Sequence, residues 1–370
     1  MKKLLFLIHD LGQGGAEKVL VNLVNNMDRS KFDITVMALF GGGVNEQFLS
    51  SNIRLIQCHA HAFPGNSKVM QLLTPEQLYR HYVKEHYDII VSYLEGPSAR
   101  IASGCTDSDT KLVSWIHIEQ HTRQRACASF RSFAEAQHCY QRFDRTICVS
   151  DYVRRDFCSI FELRNPVEVL YNTNETAQIF EKSKDLVTDV QFPLDEMKLV
   201  GVGKIIPNKG FDRLARIHKR LREDGLPVHT YILGSGDQQR DIELYLRKCH
   251  LEDSFTFLGY QTNPYKYVSK CDLFVCASYA EGFSTAATEA LIVGTPVCTV
   301  EVSGMKEMLG ENNEWGVVTE NSEEALYAGI KSLLSHPERL AHYRNQATIR
   351  GAMFSTENTV RAVEDMLESL

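Results

Sequence analysis

Short apolar and β-branched runs recur along the chain, each separated from the next by an amphipathic stretch of helical spacing. This alternation constrains the fold more than any other feature. The first half carries such runs at Leu4 to Ile8, Asp33 to Leu39, Ile53 to Cys58, Ile89 to Tyr93, Leu112 to Ile116, Arg145 to Val149 and Val167 to Tyr171. The second half repeats the scheme at Leu199 to Val202, His229 to Leu233, Phe255 to Leu258, Leu273 to Ala277, Pro296 to Val300 and Gly316 to Val318. Strands that are apolar throughout, with helices between them, predict parallel sheets covered on both faces. A chain of 370 residues exceeds what one hydrophobic core usually supports. The expected class is therefore α/β, with two doubly wound Rossmann-like domains: residues 1–175, a polar linker over 176–197, and residues 198–370. The last helix is free to return to the N-terminal domain. Ligands of doubly wound sheets bind outside the carboxyl ends of the strands, so two facing domains would place a site in the cleft between them.

Composition excludes several other classes. With 44% apolar and 24% charged residues the chain is neither disordered nor fibrous. Its apolar runs are too short to span a bilayer. The opening MKKLLFLIHD imitates a secretory leader, but it breaks at His9-Asp10 with no small-residue cleavage site, so it reads as a buried strand of a cytoplasmic protein. The ten cysteines show no C-x2-C pair, which argues against structural zinc and a disulfide framework. Through Glu175 the chain balances 19 basic against 19 acidic residues, so the net charge of -7 belongs to the remainder. Neither half has the composition of a nucleic-acid binder. Residues 120 to 165 hold eight arginines against five acids, interleaved with Phe130, Phe133, Tyr140 and Phe143. This stretch reads either as a basic aromatic patch for an anionic membrane or as a solvated helix face with core aromatics.

The chemistry-bearing motifs follow strands. After the first run comes HDLGQGGAE, whose glycines permit a tight turn and bring backbone N–H groups of a helix start near an anion at Gly15. Its spacing is not that of a dinucleotide fingerprint, and it has no P-loop lysine. The second half opens the same way with KIIPNKGFD, where Lys204 and Lys209 can converge on a diphosphate or simply occupy a solvated loop. YAEGFSTAATEAL follows the strand DLFVCAS; Glu281 ends a loop, Gly282, Phe283 and Ser284 enter a helix, and Glu289 lies about two turns on. Amides at that helix start suit a phosphate, and the two carboxylates suit hydroxyls at either end of a sugar nucleotide.

Taken together, GGAEKVL, VSDYVRRDF, VGKIIPNKGFDRL, LGSGD, FLGY and EGFSTAATEALIVGTPV span nearly the whole chain, and it resembles the GT-B-fold retaining glycosyltransferases of family 4. The resemblance implies a metal-independent transfer of a sugar from a nucleoside-diphosphate donor, a UDP-sugar by preference, to a saccharide or lipid-linked saccharide acceptor. It implies that Glu281 lies at the donor sugar, that Glu289 binds the ribose, that Lys209 contacts the diphosphate and that Gly15 approaches it from the N-terminal domain. His117 matches a histidine beside the reacting sugar, and Gly234 lies near the nucleotide. Lys204 stands where the family commonly has arginine, keeping the charge but losing the planar fork. No metal or other cofactor is implied, and the acceptor is expected on the N-terminal domain, with peripheral contact to an anionic membrane.

Two motifs point elsewhere. Asp107-Ser108-Asp109 spells a metal-binding D-x-D but lies in a polar loop before a strand, where Asp and Ser commonly form turns. His117 to His121 has the two-histidine spacing of a zinc protease with its glutamate misplaced. Two alternatives remain beside the transferase: a silent sugar-nucleotide-binding subunit, and a sugar-nucleotide epimerase, which would need further acid/base carboxylates.

Overall fold

The computed structural model describes residues 1–62, 65–280, 283–302 and 304–370. The chain forms two compact units, Met1–Thr173 with Thr356–Leu370, and Asn174–Ser355. The first unit contains strands β1 (Lys2–Ile8), β2 (Phe32–Phe40), β3 (Arg54–His59), β4 (Ile89–Ser92), β5 (Lys111–Ile116), β6 (Arg145–Cys148) and β7 (Val167–Val169). They form one parallel sheet in the order β3-β2-β1-β4-β5-β6-β7. The second unit contains β8 (Met197–Val202), β9 (Val228–Leu233), β10 (Phe255–Gly259), β11 (Leu273–Cys276), β12 (Val297–Val300) and β13 (Val317–Thr319). These are also all parallel, in the order β10-β9-β8-β11-β12-β13. Every expected run forms a strand, and the fold is two Rossmann-like domains.

Burial explains why these segments pair as they do. Leu4 to Ile8 have no exposed surface, as a strand with helices on both faces requires. The helix Phe211–Glu223 buries Phe211, Leu214, Ala215, Ile217, His218 and Leu221, an apolar stripe at helical spacing, against the second sheet. Serine caps start several of the covering helices: Ser150 accepts the Val153 N–H and Ser322 accepts the Ala325 N–H.

Two segments need the tertiary structure to place them. The polar stretch 176–197 begins with a helix, Thr176–Ser183, that buries Ile179 and packs on the helices Tyr265–Val268 and Thr285–Ile292. One buried face is enough to order a segment whose average composition is that of a linker. The final helix, Thr356–Glu368, belongs to the first unit, where Lys2 Nζ donates to the Leu367 carbonyl at 3.0 Å and Lys31 pairs with Glu368 at 2.7 Å.

All ten cysteines are free thiols, and those on β6, β11 and β12 are buried among apolar neighbours. Among the described residues no helix is long and apolar enough to cross a membrane.

His218 is fully buried behind β9, its ring nitrogens bonded to Thr230 Oγ1 and Ser254 Oγ, each at 2.9 Å. Burial holds its pKa down to about 3, so the folded protein keeps the imidazole neutral. The unfolded chain takes up that proton as pH falls below about 6.5, so stability is lost from there downward. Thermal unfolding should show wild type losing about 2 kcal/mol more between pH 7 and pH 5 than His218→Asn does. An unchanged pH dependence in that variant would exclude the assignment.

Candidate functional site

Each sheet has one point where the strand order reverses, between β1 and β4 in the first and between β8 and β11 in the second, and it is outside the carboxyl ends at such points that doubly wound sheets take their ligands. The candidate residues lie on the loops that leave those ends.

In the first unit, β1 runs into His9-Asp10. The Asp10 carboxylate takes both His9 Nδ1 and the Gly12 N–H, each at 2.7 Å, and this bond raises the His9 pKa. The helix Gly15–Asn26 follows, with Gly14 as a cap that has no side chain to offer. Glu17 folds its own carboxylate back over Gly14, so that a Cβ there would stand 1.7 Å from Oε2. The helix start expected to receive a diphosphate at Gly15 is thus faced by an internal carboxylate.

His117 follows β5 and is buried. Its ring lies against Tyr93 at 4.8 Å and Trp115 at 6.4 Å, and continuing the β4/β5 register sets Tyr93 across from Trp115. Burial lowers the His117 pKa to about 3, partly offset by a hydrogen bond with the Tyr93 backbone. The imidazole is therefore neutral at physiological pH, and His117 Nε2, Tyr93 Oη and Trp115 Nε1 are buried polar atoms without a hydrogen-bond partner among the described residues. A neutral ring hydrogen-bonds a sugar; it does not supply positive charge.

The loop after His117 is gripped by two carboxylates to which the sequence assigns no role. Glu95, just after β4, accepts the His117 N–H at 3.1 Å and the Gln120 side-chain amide at 3.4 Å. Asp156, on the helix Asp151–Ile160, accepts the Gln120 N–H at 2.6 Å and the His121 N–H at 3.1 Å. In the sequence Glu95 closely follows β4 and Asp156 lies within VSDYVRRDF, but neither position names the partner it takes. His121 thus serves the loop, and Asp107 of the D-x-D lies 3.5 Å from His86 before β5.

The basic aromatic stretch divides between core and surface. Phe130, Tyr140 and Phe143 are buried, and Phe133 stacks on Phe161 at 5.4 Å. Arg142 caps the carbonyls of Ser103 and Cys105, while Arg155 pairs with Asp151 at 2.5 Å. Its aromatics therefore build the core and do not form a surface patch: Tyr140 packs against Phe130, Phe143, Phe157 and Phe161.

In the second unit, Lys204 is exposed and Lys209 is half-buried, its Cε 3.7 Å from where a Cβ on Gly203 would stand. Gly234 has φ of 141° and its added Cβ would meet the Gly203 carbonyl oxygen at 1.9 Å, so the ends of β8 and β9 touch backbone to backbone. Gly210 has φ of 65°, and there the helix Phe211–Glu223 approaches Ala277 in the same manner. The Tyr279 N–H donates to the Asn208 carbonyl at 2.8 Å and Asn208 Nδ2 to the Ala280 carbonyl at 2.9 Å, which ties the lysine loop to the loop that precedes Glu281.

Glu281 and Gly282 themselves lie outside the described residues. Phe283 is buried against Phe354, and Ser284 spends its hydroxyl on the Ala287 N–H as cap of the helix Thr285–Ile292. Glu289, on that helix, is buried and accepts the Tyr265 hydroxyl at 3.4 Å. Arg213, which the sequence gives no role, is the buried clamp of this loop. It donates to the Ala277 and Ser278 carbonyls and to Asn321 Oδ1, and its guanidinium covers the Tyr279 ring at 4.3 Å.

Two family descriptions match the chain in succession: Glycosyltransferase Family 4 over residues 13–178 and Glycosyl transferases group 1 over residues 183–350. The chain belongs to these group 1, family 4 glycosyltransferases, with the GT-B fold. It is similar over the full length of both chains, at 25% identity, to the Campylobacter jejuni N-acetylgalactosamine-N,N'-diacetylbacillosaminyl-diphospho-undecaprenol 4-alpha-N-acetylgalactosaminyltransferase. Anabaena HepE, solved with UDP and glucose, shares the fold with a TM-score of 0.77 at 18% identity, both chains covered in full. Sucrose-phosphate synthase of Thermosynechococcus elongatus does so with a TM-score of 0.80 at 16% identity, covering 100% of this chain and 99% of that one.

Replacing Arg213 by Met orphans two buried carbonyls, each costing about 1–3 kcal/mol. Chemical denaturation should show a loss in that range or above, with donor affinity falling in the folded fraction; a variant as stable as wild type would show that the clamp is not needed.

Proposed function

We propose that this glycosyltransferase moves a sugar from a UDP-sugar to a saccharide or lipid-linked saccharide acceptor, with retention of anomeric configuration and without a metal. The observation that carries the reading is the convergence of loops at the second sheet's switch point, where Lys209 lies over Gly203, Gly234 closes on Gly203, and Asn208 bonds Ala280. As the donor breaks, negative charge builds on the diphosphate; Lys204, Lys209 and the amides of Gly282, Phe283 and Ser284 are suited to receive it. Gly234, closed on the Gly203 backbone, lies near the nucleotide, and Glu289, bonded by Tyr265, takes the ribose hydroxyls. On the first unit Gly15 approaches the diphosphate once Glu17 turns aside, and His117, neutral, donates to or accepts from a sugar hydroxyl. Glu281 is assigned to the donor sugar as well, and attack proceeds on the leaving-group face with no covalent intermediate. UDP is favoured by the UDP complex of Anabaena HepE, and a diphospho-undecaprenol-linked acceptor by the name of the Campylobacter relative.

The reading is tested with a panel of UDP-, GDP- and ADP-sugars, following nucleotide release in the presence of EDTA. Wild type should turn over a UDP-sugar with kcat unaffected by EDTA, and NMR of the product should show the donor's anomeric configuration. Both His117→Ala and Glu281→Ala should lower kcat by about 100-fold or more. Inversion, or dependence on a divalent cation, would overturn the corresponding part.

We also propose that the enzyme works on the cytoplasmic side of a membrane, in peripheral contact with anionic lipid. Val69 and Leu72, 53% and 78% exposed, stand beside exposed Lys68, and Arg131 donates to the Gln71 and Leu72 carbonyls, so cations flank an apolar tip. In flotation with anionic liposomes at low salt the protein should rise with the lipid, and Leu72→Asp should leave it at the bottom. Full recovery of wild type in the soluble fraction contradicts the contact.

A further inference from the structure

The His117 loop is held by an unusual device. A loop leaving a parallel strand normally satisfies its N–H groups with water or neighbouring backbone; here three of them, on His117, Gln120 and His121, end on side-chain carboxylates. Asp156 takes the two distal ones. Glu95 takes the one that matters for the imidazole, since the His117 N–H belongs to the residue whose ring stands against Tyr93.

We propose that Glu95 is a positioning residue for sugar transfer: its carboxylate, accepting the His117 N–H and the Gln120 amide together, sets where the His117 imidazole stands. This rests on the placement of His117 beside the reacting sugar. The geometry is specific to a carboxylate. Both partners are donors, so the group between them must accept on both oxygens. A glutamine there would accept on one side and present a donor to a donor on the other.

Protonation makes the same change. Burial raises the Glu95 pKa above the ordinary carboxylate value, with the His117 N–H opposing the rise. The other groups facing it are Arg125, which favours the carboxylate, and Tyr140 and Cys148, whose pKa values burial pushes up so that they keep their protons. His117 itself stays neutral down to about 3. Glu119 is raised as well, but it faces His121 and Asp156. As pH falls, Glu95 becomes half donor, the grip on His117 loosens, and activity declines with it.

The test is a double-mutant cycle in the full-length enzyme with UDP-sugar donor. Glu95→Gln should lower kcat about tenfold while leaving the donor KM within about twofold, and should flatten the acid limb of the kcat profile. Combined with His117→Ala, it should cost nothing beyond His117→Ala alone. If Glu95→Gln melts more than about 5 °C below wild type, Glu95→Asp replaces it, and the same loss of additivity is required. Full activity of Glu95→Gln beside an impaired His117→Ala, or strictly additive losses, overturns the role of Glu95. Full activity of His117→Ala overturns instead the placement of His117 on which the proposal stands.

Discussion

Everything that this protein presents to a substrate is governed by the parallel pairing of its strands. A parallel sheet needs a crossover for every strand, and the crossovers are helices that cover both faces, so Leu4 to Ile8 of β1 and Leu199 to Gly201 of β8 are sealed above and below. Side chains in the middle of these central strands cannot meet a soluble ligand. What is left open is the row of loops at the carboxyl ends, and among them the crevice where the strand order reverses. His9, Gly15, Glu95 and His117 gather there in one unit, and Lys204, Lys209, Gly234 and the approach to Glu281 in the other.

Placing chemistry on loops creates a difficulty that the fold answers in two ways. Loops carry backbone donors and acceptors that no ladder satisfies. In the second unit buried cations and close backbone contact answer it: Arg213 gathers the carbonyls after β11, while Gly210 and Gly234 let neighbouring loops meet without side chains between them. The first unit uses carboxylates, with Asp10, Glu95 and Asp156 each collecting N–H groups from the turn that follows a strand. The same arrangement leaves His117 neutral and buried, with a ring nitrogen awaiting a partner. A site assembled in this way is preorganised, because the groups that will meet the substrate are held by bonds made before it arrives.

Much of this was legible in the chain. All thirteen strands could be read as apolar runs, since a strand buried on both faces has no polar alternation to obscure it. The glycines and lysines of the βα loops were legible because backbone contact and diphosphate chemistry demand those residue types at those places. The arginines and aromatics between 120 and 165 were not, since the same letters serve a surface patch or a core, and only the helix faces decide between them. The helix Thr176–Ser183 was hidden for a similar reason: its one buried anchor, Ile179, sits among polar neighbours.

The amino-acid sequence by itself determined the class of fold, the number of sheets, the ends of the strands that would carry function, and the family. These are properties of local pattern: hydrophobic period, turn chemistry and spaced motifs. Only the tertiary structure decided that Glu95 holds His117, that Arg213 clamps the loop before Glu281, that Glu17 faces the start of its own helix, and that the last helix returns to the first unit. Each of these joins residues far apart in the chain, or turns on the direction of one side chain. Period and motif do not say which partner a single carboxylate or guanidinium takes, and its role exists only once parallel pairing has brought its partners within hydrogen-bond reach.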